Sequence, residues 1–194
     1  MDERIEQLVQ NIKALEEELR TVLYEQQSKL FKAAENGRVE FERTVKDAHR
    51  QFRVGLFSWL RNSQFKHVLS APFIYGLIIP VVIFDIGIST FQAICFRLYG
   101  IERVQRSNYI VVDRHRLAYL NIIEKVNCLY CEYVNGLIAY AREIGSRTEQ
   151  FWCPIKHAQK MVDTHKRYAD FIDYGDAAHY QNLAEQARKA VTRE

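Results

Sequence analysis

The first part of the chain carries apolar residues at helical spacing. Ile5, Leu8, Ile12, Leu15, Leu19 and Val22 follow one another at alternating steps of three and four, the a and d positions of a heptad repeat sustained for about two and a half heptads. Glu3, Glu6, Lys13, Glu16, Glu17, Glu18 and Arg20 fill positions between them. These are strong helix formers that leave the stripe as the surface to bury. The pattern predicts a coiled-coil-like helix within residues 1–38, packed either against another helix of the same chain or against a second copy. After Val22 the seam positions fall to Gln26 and Lys29, and Asn36-Gly37 offers a place for the helix to end, because both residues accept the left-handed conformation that closes one. Residues 39–66 then read as an interfacial amphipathic helix. Phe52, Val54, Leu56, Phe57, Trp59 and Leu60 alternate there with Arg50, Arg53, Arg61 and Lys66, which puts an aromatic ring at headgroup depth and cations on phosphate.

The pattern changes abruptly from there. Within residues 67–98 the run Leu69–Phe96 is nearly free of charge, and Asp85 is the one side chain in it that is ionised at neutral pH. As one straight helix its 28 residues would measure about 42 Å, against a hydrocarbon core of about 30 Å. Pro72 and Pro80 each remove a backbone donor, and Gly76 and Gly87 add flexibility, so the expected form is a re-entrant hairpin broken near Pro80 to Gly87. A tilted single span and a buried soluble hairpin are the alternatives. Arg53, Arg61 and Lys66 precede the run while Arg97, Arg103, Arg106, Arg114 and Arg116 follow it; cytoplasmic flanks are enriched in such residues, so both halves are expected in the cytoplasm. Asp85, Ser89 and Gln92 stand at i, i+4 and i+7 and share one helical face. A carboxylate at membrane depth needs an interior, a cavity or a partner, so the stripe either packs within the chain or lines a polar path between several chains.

Composition narrows the classes. A net charge of +3 over 194 residues is too mildly basic for a dedicated nucleic-acid binder. The opening Met1-Asp2-Glu3-Arg4 lacks the basic start and apolar core of a secretory signal. There is no Gly-rich phosphate loop, no H-E-x-x-H and no G-x-S-x-G, so no catalytic constellation is expected.

The sharpest local chemistry lies in residues 99–194. Cys128-Leu-Tyr-Cys131 is a C-x2-C pair, and Cys153-Pro-Ile-Lys-His157 adds a C-x3-H pair after 21 intervening residues. Paired ligands at such spacings reach one tetrahedral ion, and the interval leaves room for a turn between the halves. The expectation is a Cys3His metal site on Cys128, Cys131, Cys153 and His157, holding zinc or, alternatively, an iron-sulfur cluster. His165 is a substitute fourth ligand. Buried structural thiols and a redox dithiol at Cys128 and Cys131 are the competing readings. Pro154 suits the first position of a helix capped by Cys153, and another helix is expected to start near Asp113 or Arg114. Glu132, Glu143 and Glu149 read as solvated helix residues, and Cys95 as a small buried hydrophobe. Asp173-Tyr174-Gly175-Asp176 reads as a turn before a polar last helix.

The stretches Asn127–Cys131, Asn135–Glu143 and Arg147–His157 resemble a family of small uncharacterised bacterial membrane-associated proteins. The resemblance covers about the last hundred residues, implies that these Cys and His belong to one motif, and places the chain at a bacterial inner membrane. The resulting expectation is a mostly α-helical, membrane-anchored and self-associating structural or scaffold protein, with lipid and a second copy as partners and a helical carboxyl domain organised by metal. A membrane-bound redox or metal sensor and a small oligomeric channel are the alternatives.

Overall fold

A computed structural model describes residues 3–30, 49–53 and 65–192. The chain divides into two units, Met1–Ala48 and His49–Glu194. In the first, α1 spans Glu3–Leu30, as the heptad spacing requires. Leu8, Ile12, Leu15, Leu19 and Val22 are all exposed along it. The interfacial helix expected over 39–66 lies almost entirely outside the described residues.

The second unit is built on the apolar run. Helices α2 (Phe65–Gly76) and α3 (Ile78–Phe91) are separated only by Leu77, which keeps right-handed helical angles (φ −61°, ψ −17°). The expected hairpin is therefore not formed, and the segment Val68–Phe96 is one helix of 29 residues, long and apolar enough to cross a membrane. Pro80 falls in the first turn of α3, where its missing N–H leaves only a local gap in the ladder. The Val81 N–H resumes the ladder by donating to the Leu77 carbonyl at 3.2 Å. Beyond α3 the helix widens into a π-helical turn, Gln92–Phe96. It ends at Gly100, whose φ of +69° lets the Ile101 N–H reach the Phe96 carbonyl at 2.9 Å, the 6→1 bond of a Schellman closure.

The chain then doubles back as a strap over residues 101–121, mostly irregular with short 3-10 turns at Arg106–Asn108 and Arg114–Arg116. Helix α4 (Ile122–Trp152) starts at an Asn121 capping box, Asn121 and Glu124 each accepting the other's backbone N–H. It therefore begins later than the expected Asp113 or Arg114. Three contacts fix its direction. Tyr75 bonds Asn127, Gln92 bonds Tyr140, and Tyr99 stacks on Phe151. The two long helices thus run parallel, with the strap returning between them. Leu137, Tyr140 and Ile144 of α4 bury against Phe96, Ile101, Val104 and Val191, at the three- and four-residue steps of one helical face.

No break occurs at Asn135-Gly136. Gly136 is buried inside α4, and a Cβ there would lie 2.7 Å from the Tyr109 carbonyl oxygen and 2.9 Å from the Ile110 Cα. The glycine serves close approach of the strap backbone rather than a turn.

After Trp152 the helix expected from Pro154 is absent. Cys153, with φ −147° and ψ 64°, is pushed out of helical geometry as residues before proline are. Ile155 instead bridges Ile172: the Ile172 N–H donates to the Pro154 carbonyl and the Lys156 N–H to the Ile172 carbonyl, both at 2.8 Å. A turn at Gly175 (φ +88°) leads into α5 (Tyr180–Val191), as the Asp173–Asp176 pattern predicts.

Candidate functional site

The polar residues of the apolar helix are its best-organised chemistry. Asp85, Ser89 and Gln92 do share a face, and that face turns toward α4 and the strap. Asp85 is held by Arg106, which donates from both terminal nitrogens, one of them at 2.6 Å from Oδ2. The Tyr133 hydroxyl donates to Oδ2 at 2.7 Å, and the Ser89 hydroxyl to Oδ1 at 3.2 Å. Four donors match the roughly four lone-pair sites of a carboxylate, and the Arg106 pair has the bidentate geometry that guanidinium favours.

About two turns beyond Asp85, Gln92 does the work of a strand partner. Its Oε1 accepts the Val104 N–H at 2.7 Å while its Nε2 donates to the Tyr140 hydroxyl at 2.7 Å. Buried amides that are paired on both sides fix register, and unpaired ones are costly. The stripe is thus closed by donors and acceptors of the same chain, which gives no support to a polar path between chains.

The glutamates of α4 depart from the expected solvated role. Glu132 is buried, and its Oε1 accepts the Arg114 N–H at 2.9 Å, capping the second turn of the strap. Glu143 accepts from Arg147 at 2.8 Å and from Arg167 at 3.0 Å. Burial pushes its carboxyl upward, but the two guanidiniums outweigh this and hold it below the ordinary glutamate range. Glu149 pairs with His165 Nε2 at 2.9 Å, so His165 is committed to a carboxylate and to packing on Phe171.

The four expected metal ligands are not brought together. Cys128 and Cys131 lie near the start of α4, whereas Cys153 follows its last residue. Twenty-five residues of unbroken helix separate Cys128 from Cys153, or roughly 37 Å at 1.5 Å per residue. The site expected on Cys128, Cys131, Cys153 and His157 needs the chain to turn between Cys131 and Cys153, and that interval is continuous helix up to Trp152. His157 stacks on Tyr168, whose hydroxyl accepts the His157 backbone N–H at 2.6 Å. Among the described residues no group of three or more His, Cys, Asp or Glu is placed to hold a metal ion. Cys95 is half-buried on the apolar helix.

Sequence reasoning found the stripe but missed its partners. Arg106 stood in a basic cluster read for membrane orientation, and Tyr133 and Tyr140 belong to no catalytic or metal-binding motif in the sequence. Their separations from Asp85 and Gln92 are 21 and 48 residues, beyond any local pattern. Compared with protein-family models, curated proteins and solved structures, the chain matches none.

Proposed function

We propose that this chain is a membrane-attached, self-associating structural or scaffold protein, with both units on the cytoplasmic face of a bacterial inner membrane. The observation that carries this is the apolar helix: one face is occupied by α4 and the strap, while Leu69, Phe73, Ile79, Ile83 and Ile94 remain exposed on others. Contiguous apolar surface of that extent marks a membrane or protein contact. The exposed heptad seam of α1 is what a second copy would bury. Attachment to a surface raises local concentration and favours such a short coiled coil. The Asp85 and Gln92 networks supply rigidity, and the C-x2-C and C-x3-H pairs, at opposite ends of α4, have no part in this reading.

Flotation with phospholipid vesicles tests attachment. The full chain is expected to float with lipid, and Ile79→Glu with Ile83→Glu to lower the lipid partition constant about 100-fold, from losing two apolar anchors worth about 1.5 kcal/mol each. Leu15→Glu is expected to abolish self-association in sedimentation while leaving flotation intact. A chain that stays with the aqueous fraction, or that sediments as a monomer on and off lipid, would refute the corresponding half of the proposal.

A further inference from the structure

The packing of the strap decides how the apolar helix meets lipid. The segment Val68–Phe96 has its midpoint at Val82, and Asp85 lies three residues beyond it, about 4.5 Å along the axis. Arg106 reaches Asp85 directly, and Arg106, Ser107 and Asn108 are all exposed. Were the helix to cross a bilayer upright, these residues would face hydrocarbon close to the midplane. Irregular backbone exposed to lipid does not occur there, because its N–H and C=O groups would have no partner. The same holds over most of the strap. Glu102, Arg103, Asp113, Arg114 and Arg116 are exposed too, and the strap lies beside the helix from Val104 at Gln92 to Arg106 at Asp85.

The opposite side has none of this chemistry. Leu69, Ile83 and Ile94 are 63%, 65% and 55% exposed and, with Pro72, Gly76, Pro80, Gly87 and Thr90, lie about the outward direction of the helix. No ionisable side chain interrupts them. Exposed cations stand at both ends, Lys66 and Arg97. Exposed apolar side chains flank this stripe too, Phe73, Leu77, Ile79, Phe84 and Ile86 among them, so the polar contacts are confined to the side that meets α4 and the strap. The helix of 29 residues, about 44 Å long, exceeds the roughly 30 Å hydrocarbon core and is cationic at each end.

We infer that the helix Val68–Phe96 lies in the plane of one leaflet, its outward stripe in the acyl boundary, with α4 and the strap on the aqueous side. The partner is a lipid surface with anionic headgroups, which Lys66 and Arg97 meet on the same leaflet. This rests on the membrane attachment proposed above and specifies its geometry.

The test uses the full chain with its four native cysteines replaced by alanine, helicity being checked by circular dichroism. It is bound to closed vesicles of phosphatidylcholine and phosphatidylglycerol. Nitroxides at Leu69→Cys, Ile83→Cys and Ile94→Cys report depth by collision with oxygen and with an aqueous nickel complex. Separately, Lys66→Cys and Arg97→Cys report sidedness to an impermeant maleimide. The expected result is one common depth for all three nitroxides, about 5–10 Å into the boundary, with both ends labelled from outside. A midplane depth at Ile83 with the two ends on opposite sides would overturn the in-plane geometry in favour of a span. A midplane depth at Ile83 with both ends outside would overturn it in favour of a re-entrant dip. Either result leaves membrane attachment standing, whereas failure to bind the vesicles at all overturns both.

Discussion

Asp85 illustrates how a single residue can organise a surface. An isolated carboxylate in an apolar helix is destabilising, and Arg106, Tyr133 and Ser89 together satisfy it. Removing one partner of a buried pair costs about 3–5 kcal/mol because the other charge is stranded. Arg106 is 43% exposed, so solvent offsets part of that, and Arg106→Leu is expected to destabilise by about 2 kcal/mol. Asp85→Asn keeps an acceptor for the Tyr133 hydroxyl and should cost less. The double variant should recover part of the combined loss, since neither charge then remains unpaired. Thermal unfolding in detergent followed by circular dichroism measures all three, and strictly additive losses would contradict the coupling. The sequence showed Asp85, Ser89 and Gln92 on one face, because helical spacing alone determines that. It could not show Arg106, because a contact made across a reversing strap leaves no periodic trace.

Among the elements, α4 separates what a local pattern permits from what the fold uses. Bringing Cys128 and Cys153 to one ion needs a turn somewhere between them, whereas α4 runs unbroken through Asn135-Gly136. Local composition reports what a glycine permits, not which permission is used. Here the strap backbone presses on the position where a side chain would start, so Gly136→Ala is expected to lower stability by about 1–3 kcal/mol despite alanine's better helix propensity. Both nearest atoms, the Tyr109 oxygen and the Ile110 Cα, are backbone and cannot swing aside. Gly145, with nothing within 4 Å of an added Cβ, is the control: Gly145→Ala should be neutral or stabilising by helix propensity. Equal melting temperatures for the two variants would count against the close approach. Other elements were legible for simple reasons. The α1 heptads and the turn at Gly175 are local signals, and the length of the apolar run survived even though its expected fold-back did not.

At the scale of the whole second unit, ion pairs supplement the apolar packing of Val191 in tying the carboxyl-terminal region to α4. Glu143 joins Arg147 on its own helix to Arg167 within the loop that the Ile155–Ile172 bridge closes. Its carboxyl titrates lower in the folded state than in the unfolded chain, so the unfolded state binds a proton first as acid is added. The contribution is therefore complete above about pH 5, declines through the ordinary carboxylate range near 4.3, and is gone once the pH falls below the folded value. Glu143→Gln should lower the melting temperature at pH 7, with the difference from the parent narrowing as the pH falls toward about 3. A gap that is the same at both ends of the titration would assign Glu143 a role in packing instead.

The parallel pairing of the two long helices also has a consequence for biosynthesis. Arg106 leaves the ribosome 21 residues after Asp85 and Tyr133 leaves 48 after it, so at about 5–20 residues per second the carboxylate waits on the order of 2–10 s for its full set of donors. In that interval the newly made helix is apolar with one bare charge near its middle, a residue that resists the bilayer centre by about 2.5–3.5 kcal/mol. The nascent segment is thereby biased against crossing before the strap and α4 arrive to cover its polar side.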